Sequence, residues 1–259
     1  MKKIIAFILR YFFGLFASVY LFTMGFIKSQ NRILISTICA HFGYKPKAHE
    51  LIIPEIKLAE VAPDDLLAKV VEPIGVDGNA SLLEIMTINK LITRHQPRRI
   101  FEIGTFDGRT TINMAVSAPA EAKIHTLDLP KEQISTTKLP IVQGDKLYID
   151  KNRSGSRYIG RPEANKITQL YGDSATFDFN PYFNSIDFVF IDGSHAYDYI
   201  LNDSRIGLKL LRNNRGIILW HDYGVWEGVT RALNELLAGN ADFKELKHIE
   251  GTSLAYLNR

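Results

Sequence analysis

The sequence predicts an α/β fold: a doubly wound, mostly parallel sheet of seven strands covered by helices on both faces. Two observations carry this. Short apolar runs bounded by turn residues recur at RRIFEIG, KIHTLD, KITQLYG, IDFVFID and GIILWHD. Between several of them lie stretches with helical apolar spacing, and strand–helix alternation is the pattern of parallel sheets buried on both sides.

The elements follow in order. Residues 4–27 read IIAFILRYFFGLFASVYLFTMGFI, with Arg10 as the one charge. A 24-residue helix is about 36 Å long, enough for a hydrocarbon core of about 30 Å. The segment is expected to be a membrane anchor that spans the bilayer or is embedded in it. A cleaved signal peptide and a helix lying in the interface are the alternatives. A second short helix is expected over 31–42, completing an anchor unit over 1–43. Residues 44–80 contain Pro46, Pro54, Pro63 and Pro73 and are expected to be a linker.

From residue 81 the alternation begins: a helix at 81–95, a strand at 99–103, a helix at 108–118 and a strand at 123–128. Residues 130–163 lack periodicity and are too long for an ordinary connection, so a mobile lid over the acceptor is expected there. It carries seven basic against four acidic residues. Strands at 166–172 and 186–192, a helix at 196–212, a strand at 216–222 and a helix to 239 follow. FKELKHI and SLAYLN close the chain as an antiparallel hairpin.

The net charge is +3, but it is unevenly placed. Residues 1–49 hold Lys2, Lys3, Arg10, Lys28, Arg32, Lys45 and Lys47 and no acid, so that arm is +7 and the body −4. The basic arm suits anionic headgroups, and a nucleic-acid reading from net charge is weak. The single cysteine, Cys39, excludes an internal disulfide and is expected to be inert.

Three turns carry the chemistry. In Phe101-Glu102-Ile103-Gly104-Thr105-Phe106-Asp107-Gly108-Arg109-Thr110-Thr111 the glycines allow a tight turn, and Glu102 suits a cationic ligand such as an amino-acid ammonium. Asp128 ends the second strand, where an acid can accept ribose hydroxyls. Asp173 and Ser174 follow the third, where an acid can hold an adenine amino group and an Asx turn is the alternative. Strands of one sheet lie about 4.8 Å apart, so Asp192 and Asp222, at neighbouring strand ends, can share one ion.

FEIGTFDGRTT, GDS, FIDGSHAYDYILND and GIILWHDYGVWEGVTRAL together resemble the class I S-adenosylmethionine-dependent methyltransferases over about 81–259. The likeness is closer to the catechol and macrocin O-methyltransferase branch. The resemblance implies a Rossmann-like domain. It implies that S-adenosylmethionine is bound by Glu102, Gly104, Thr105, Gly108, Thr110, Asp128, Asp173, Ser174 and Asp192. It further implies a divalent metal, Mg2+ or Mn2+, on Asp192 and Asp222, and methyl transfer to a hydroxyl of a small molecule or glycan. His221 departs from the acid pair of some relatives, so it is either a third ligand or a residue pointing into the sheet. His195 is the expected general base, catalytic together with Asp192. Trp220, Tyr223 and Trp226 are expected to shape the acceptor pocket. The alternative is a tethered binding module without turnover. A serine esterase with Ser174 and His195 is disfavoured because its two blocks lie close together in mid-domain. Because S-adenosylmethionine is cytosolic, the body is expected to face the cytoplasm. No nucleic-acid partner is expected.

Overall fold

The computed structural model describes residues 2–28, 31–32, 34–35, 38–39, 42 and 50–259. The chain divides into two units, Met1–Ala48 and His49–Arg259. Lys45 and Lys47 lie outside the described residues, as does part of the expected helix over 31–42, whose described residues from 31 to 39 are helical.

In the first unit, helix α1 spans Lys2–Thr23, followed by a 3-10 turn at Gly25–Ile27. One stretch, Ile5–Thr23, is long and apolar enough to cross a membrane by length and composition. Apart from the buried Leu21, its large apolar side chains are exposed on several sides: Phe7, Leu9, Phe13 and Phe16 are each between 66% and 76% exposed. At about 100° per residue Phe7 and Leu9 project from opposite sides, so no single core-facing stripe exists. Ser18 Oγ and Thr23 Oγ1 donate to the carbonyls of Gly14 and Val19, four residues back, at 2.8 and 2.7 Å. Their hydroxyls therefore need no water.

The second unit contains β1 (Glu55–Ile56), α2 (Leu58–Val61), α3 (Leu82–His95), β2 (Arg99–Ile103), α4 (Arg109–Ser117) and β3 (Lys123–Asp128). Then come α5 (Lys146–Ile149), β4 (Ile167–Tyr171), β5 (Phe188–Ile191), α6 (Tyr197–Leu210), β6 (Ile217–Trp220), α7 (Glu227–Gly239), β7 (Lys247–Ile249) and β8 (Ala255–Asn258). The sheet order is β1-β7-β8-β6-β5-β2-β3-β4. All pairs are parallel except β6–β8 and β7–β8, as the expected hairpin requires. The sheet has one strand more than the sequence predicts, because β1 pairs with β7. β7 is also shorter than FKELKHI predicts, since Ala241–Phe243 forms a 3-10 turn capped by the Asn240 side chain.

Strand residues alternate between two cores. Phe101, Val189, Ile191, Ile218 and Trp220 pack with α6 and α7, while Ile100, Phe188, Phe190, Ile217 and Leu219 pack with α3 and α4. The chain runs outward through β2, β3 and β4 and then returns to β5 beside β2. This reversal is the topological switch where open α/β sheets bind ligands. Gly104 makes the switch possible. Its φ is +100°, and a Cβ there would lie 1.9 Å from the Asp192 carbonyl oxygen.

The expected linker belongs in part to this unit. Besides supplying β1, its backbone replaces a missing strand partner with side-chain donors. Arg109, 1% exposed, donates to the carbonyls of Glu72, Pro73 and Ala80 at 2.5–3.0 Å. Asn113 bonds both backbone groups of Val71, and Lys90 donates to the carbonyls of Pro63 and Asp64. The prolines that suggest a linker cannot donate to a ladder, so these carbonyls are met from α3 and α4.

Replacing Gly104 with Ala adds a backbone clash and left-handed strain. Such a change is expected to destabilise the protein by about 3 kcal/mol or more, read as a lowered denaturation midpoint of the detergent-solubilised chain.

Candidate active site

A cavity of about 250 Å³ opens at the carboxyl ends of the strands. Gly104 follows β2, Asp128 ends β3, Gly172 to Ser174 follow β4, Asp192 to His195 follow β5, and His221 and Asp222 follow β6; all of them line the cavity. Of the residues expected to hold the cofactor, Gly104, Asp128, Asp173, Ser174 and Asp192 therefore face the cavity. Glu102, Thr105, Gly108 and Thr110 lie behind it, in the packing under the first turn.

At one end, carboxylates and imidazoles alternate. Asp145 Oδ1 lies 2.5 Å from His195 Nδ1, and His195 Nε2 lies 2.8 Å from Asp222 Oδ2. His221 Nδ1 is 3.1 Å from Asp192 Oδ1 and 3.3 Å from Asp222 Oδ2, while its Nε2 is 3.3 Å from Glu84 Oε2. His221 thus turns into the site and not into the sheet. Burial alone would discharge both imidazoles. The facing carboxylates outweigh it, lifting His195 to about 9 and His221 well above its ordinary value. Burial would likewise raise the Glu84 and Asp222 carboxyls, but the bonds from the histidines, joined at Glu84 by Ser253, hold both below the usual range. Asp192 goes the other way: burial outweighs His221 and raises it.

His195, the expected general base, is thus held by acids on either side. Both ring nitrogens are engaged by acids, and the doubly protonated imidazolium is favoured. Trp226 stacks on its ring at 4.3 Å and 17°. Trp226 also lines the cavity, whereas Trp220 and Tyr223 do not. Those two are core residues, Trp220 donating to Ser204 Oγ at 3.0 Å and the Tyr223 hydroxyl bonding Asn234 and the Ile53 amide.

Glu102 is fully buried. Thr111 and Thr126 donate to its Oε2, and its Oε1 has no partner. Desolvation pushes its carboxyl up to about 8. Thr105 bonds Thr126 at 2.6 Å and Gln169 at 3.0 Å. A Cβ on Gly108, whose φ is +84°, would meet Tyr158 and Gly155, so that glycine serves the approach of the 130–163 segment.

That segment, expected as a mobile lid, is fastened to the sheet ends. Asp145 accepts from Ser194 Oγ at 2.6 Å as well as from His195, and Gly144 lies against the Trp226 ring. Lys151 Nζ, at 2.8 Å, and Ser154 Oγ both contact Asp128 Oδ2. The Lys138 amide donates to Asp173 Oδ2 at 2.7 Å. Asp173 Oδ1 accepts from the Ala175 amide and from the Tyr199 hydroxyl, so Asp173 forms the Asx turn and anchors the insertion. Arg157 bonds Asp107 at 2.6 Å and Glu72 at 3.3 Å, tying the insertion to the 71–80 segment. Asp77, Gly78 and Asn79 of that segment line the cavity beside Tyr148 and Ile149.

Sequence reasoning missed Asp145, Tyr148, Lys151 and Glu84. The first three sit in a stretch with no periodic signal. Glu84 did carry one: Ser81-x-x-Glu84 is a capping box, realised here on both sides, but that signature announces a helix start and not a site.

Residues 101–223 match the model of a methyltransferase-domain family. A comparison of the sequence with curated proteins gave no match. Among solved structures, the chain is similar to the S-adenosylhomocysteine-bound methyltransferase PaMTH1 of Podospora anserina. The TM-score is 0.52 and the identity 16%, over 89% of this chain and 96% of that one. It is also similar to the O-methyltransferase TomG of Streptomyces achromogenes, involved in tomaymycin synthesis and crystallised with S-adenosylmethionine. Here the TM-score is 0.48 and the identity 18%, over 86% and 96% of the two chains. A Bacillus cereus O-methyltransferase in complex with S-adenosylhomocysteine gives 0.47 and 17%, over 87% and 97%. The methyltransferase-domain match thus covers residues 101–223, and the likeness to PaMTH1 shows the fold that carries it.

Two outcomes are expected. The folded-state value of about 8 for Glu102 lies above its ordinary 4.5, so its stabilising contribution is present below pH 4.5 and lost as pH rises through 8. Relative to Glu102→Gln, the wild-type melting temperature should therefore fall between pH 5 and pH 8.5. Asp145→Ala should speed amide exchange across 143–158 on the order of tenfold or more, because a buried anchor is lost.

Proposed function

We propose that this enzyme transfers the methyl group of S-adenosylmethionine to a hydroxyl of a small molecule or glycan, at a centre assisted by a divalent metal. One observation carries the reading: Asp192, His221 and Asp222 offer ligand atoms all within 4.8 Å of one another, in the cavity that opens at the switch beside Gly104 and Asp128.

The residues divide the work. Asp128 accepts the ribose hydroxyls; its contacts to Lys151 and Ser154 both use Oδ2, which leaves Oδ1 for this task. The Gly104 turn receives the methionine end, with Glu102 behind it as a charge that ionises when an ammonium approaches. Ser174 lines the adenine end. Asp192, His221 and Asp222 would hold the metal, and their mixed oxygen and nitrogen donors fit a divalent ion. Such an ion, when bound, lowers the pKa of an acceptor hydroxyl. Ile141, Tyr148, Ile149, Val225 and Trp226 form an apolar wall at the same end, which positions the acceptor and excludes water. His195 takes the hydroxyl proton on Nε2 only after its imidazolium, held at about 9 by the flanking acids, has lost the proton it shares with Asp222; Asp145 holds Nδ1–H throughout.

The body is tethered by α1 as a membrane anchor. Support comes from its exposed apolar side chains and from Ser18 and Thr23, whose hydroxyls are satisfied within the helix. The +7 arm then meets anionic headgroups, and the −4 body faces the cytoplasm, where the cofactor is.

Calorimetry with S-adenosylhomocysteine should show binding to the full chain, weakened about tenfold or more in Asp128→Ala. No binding by the wild type would reject the enzyme reading in favour of a tethered module. In sealed vesicles of known orientation, protease should cut residues 50–259 from the cytoplasmic face alone; cleavage from the other face would overturn the topology.

A further inference from the structure

Glu84 lies outside the matched methyltransferase residues, on the first turn of α3 and 137 residues from His221. Its carboxylate is 6% exposed and fastened on both oxygens. Oε1 accepts from the Ser253 amide at 2.8 Å and from Ser253 Oγ at 2.7 Å, and Oε2 accepts from the Ser81 amide at 2.7 Å. Ser253, also outside the matched residues, belongs to the turn before β8. Two backbone amides and one hydroxyl thus lock a carboxylate that the ring of His221 meets through Nε2, at 3.3 Å. A proton on Nε2 directed at Glu84 leaves Nδ1 as the free nitrogen, and Nδ1 is the atom facing Asp192 and Asp222 at 3.1 and 3.3 Å.

Building on the metal-assisted reading above, we propose that Glu84 is a positioning residue that fixes His221 as a nitrogen ligand. The centre therefore takes a transition-type divalent cation in preference to magnesium. The reasons are chemical. Magnesium demands hard oxygen donors in near-octahedral array, whereas an imidazole suits cobalt, iron, nickel or zinc. A carboxylate on the far ring nitrogen orients a histidine ligand and raises its basicity, and loss of such a partner weakens metal binding about 10- to 100-fold. Two carboxylates and one locked imidazole form a mixed donor set that an all-oxygen site would not offer.

The test uses the full-length chain in detergent micelles, titrated calorimetrically with Co2+ and separately with Mg2+. Pulsed electron paramagnetic resonance of bound Mn2+ reports directly on nitrogen ligation. The wild type should bind Co2+ on the order of tenfold or more tighter than Mg2+ and show 14N modulation from one imidazole. His221→Asp should abolish that modulation and bring the two affinities within about threefold. Glu84→Gln should weaken Co2+ about 10- to 100-fold while moving Mg2+ far less. His221→Asp leaves the Ser81 and Ser253 bonds of Glu84 intact, so the question stays open to test even where Glu84→Gln fails to fold. Equal affinities for the two cations, absent 14N modulation, or a folded Glu84→Gln with unchanged Co2+ affinity would each overturn the proposal and leave the metal-assisted reading standing. Failure of both cations to bind the wild type would overturn both readings.

Discussion

Charge compensation inside the cavity is the constraint on which the rest of the structure depends. Glu84, Asp145, Asp192 and Asp222 crowd around two imidazoles, and four ionised carboxylates in such a space would cost several kcal/mol each without partners. Histidines at 195 and 221 supply the partners. Each ring lies between acids from different parts of the chain, so the cavity forms only when α3, the 130–163 segment and the ends of β5 and β6 arrive together. The site and the tertiary fold are in this sense one object.

The same logic explains how the 71–80 and 130–163 stretches are tied to the sheet ends. The 71–80 segment presents carbonyls to Arg109 and Asn113, and the 130–163 segment presents Asp145, Lys151 and Ser154 to the sheet ends. Arg157 joins the two across Asp107 and Glu72. They wall the cavity with groups that a bare sheet could not offer: an acid for His195, a cation for Asp128 and the aromatic face of Tyr148. The insertion also touches both ends of the cavity, contacting Asp128 where a ribose would sit and His195 where an acceptor would react.

Much of the domain was legible. Strand positions at 99–103 and 123–128 and the helices through 81–95 and to 239 follow from apolar spacing, because a buried strand or an amphipathic helix must repeat with its own geometry. The acids ending the strands were legible for the same reason: a strand end in a parallel sheet faces the cavity whatever lies around it. Legibility failed where a residue's role depends on a distant partner. Asp173, which lines the cavity, also holds the insertion through the Lys138 amide, and Gly108, expected in the cofactor turn, also admits Tyr158 and Gly155. Proline-rich 44–80 reads as a linker because nothing local shows that Arg109 meets the carbonyls of Glu72, Pro73 and Ala80.

The sequence by itself determined the alternation of strands and helices, the split between a +7 apolar arm and a −4 body, and the acids at 128, 192 and 222. These are local or additive properties, written in periodicity and composition. Only the tertiary structure decided which nitrogen of His221 faces Asp192 and Asp222, that His195 is clamped by Asp145 and Asp222, and that Glu84 reaches the site at all. Those facts depend on distances of about 3 Å between residues far apart in the chain, which no local pattern encodes.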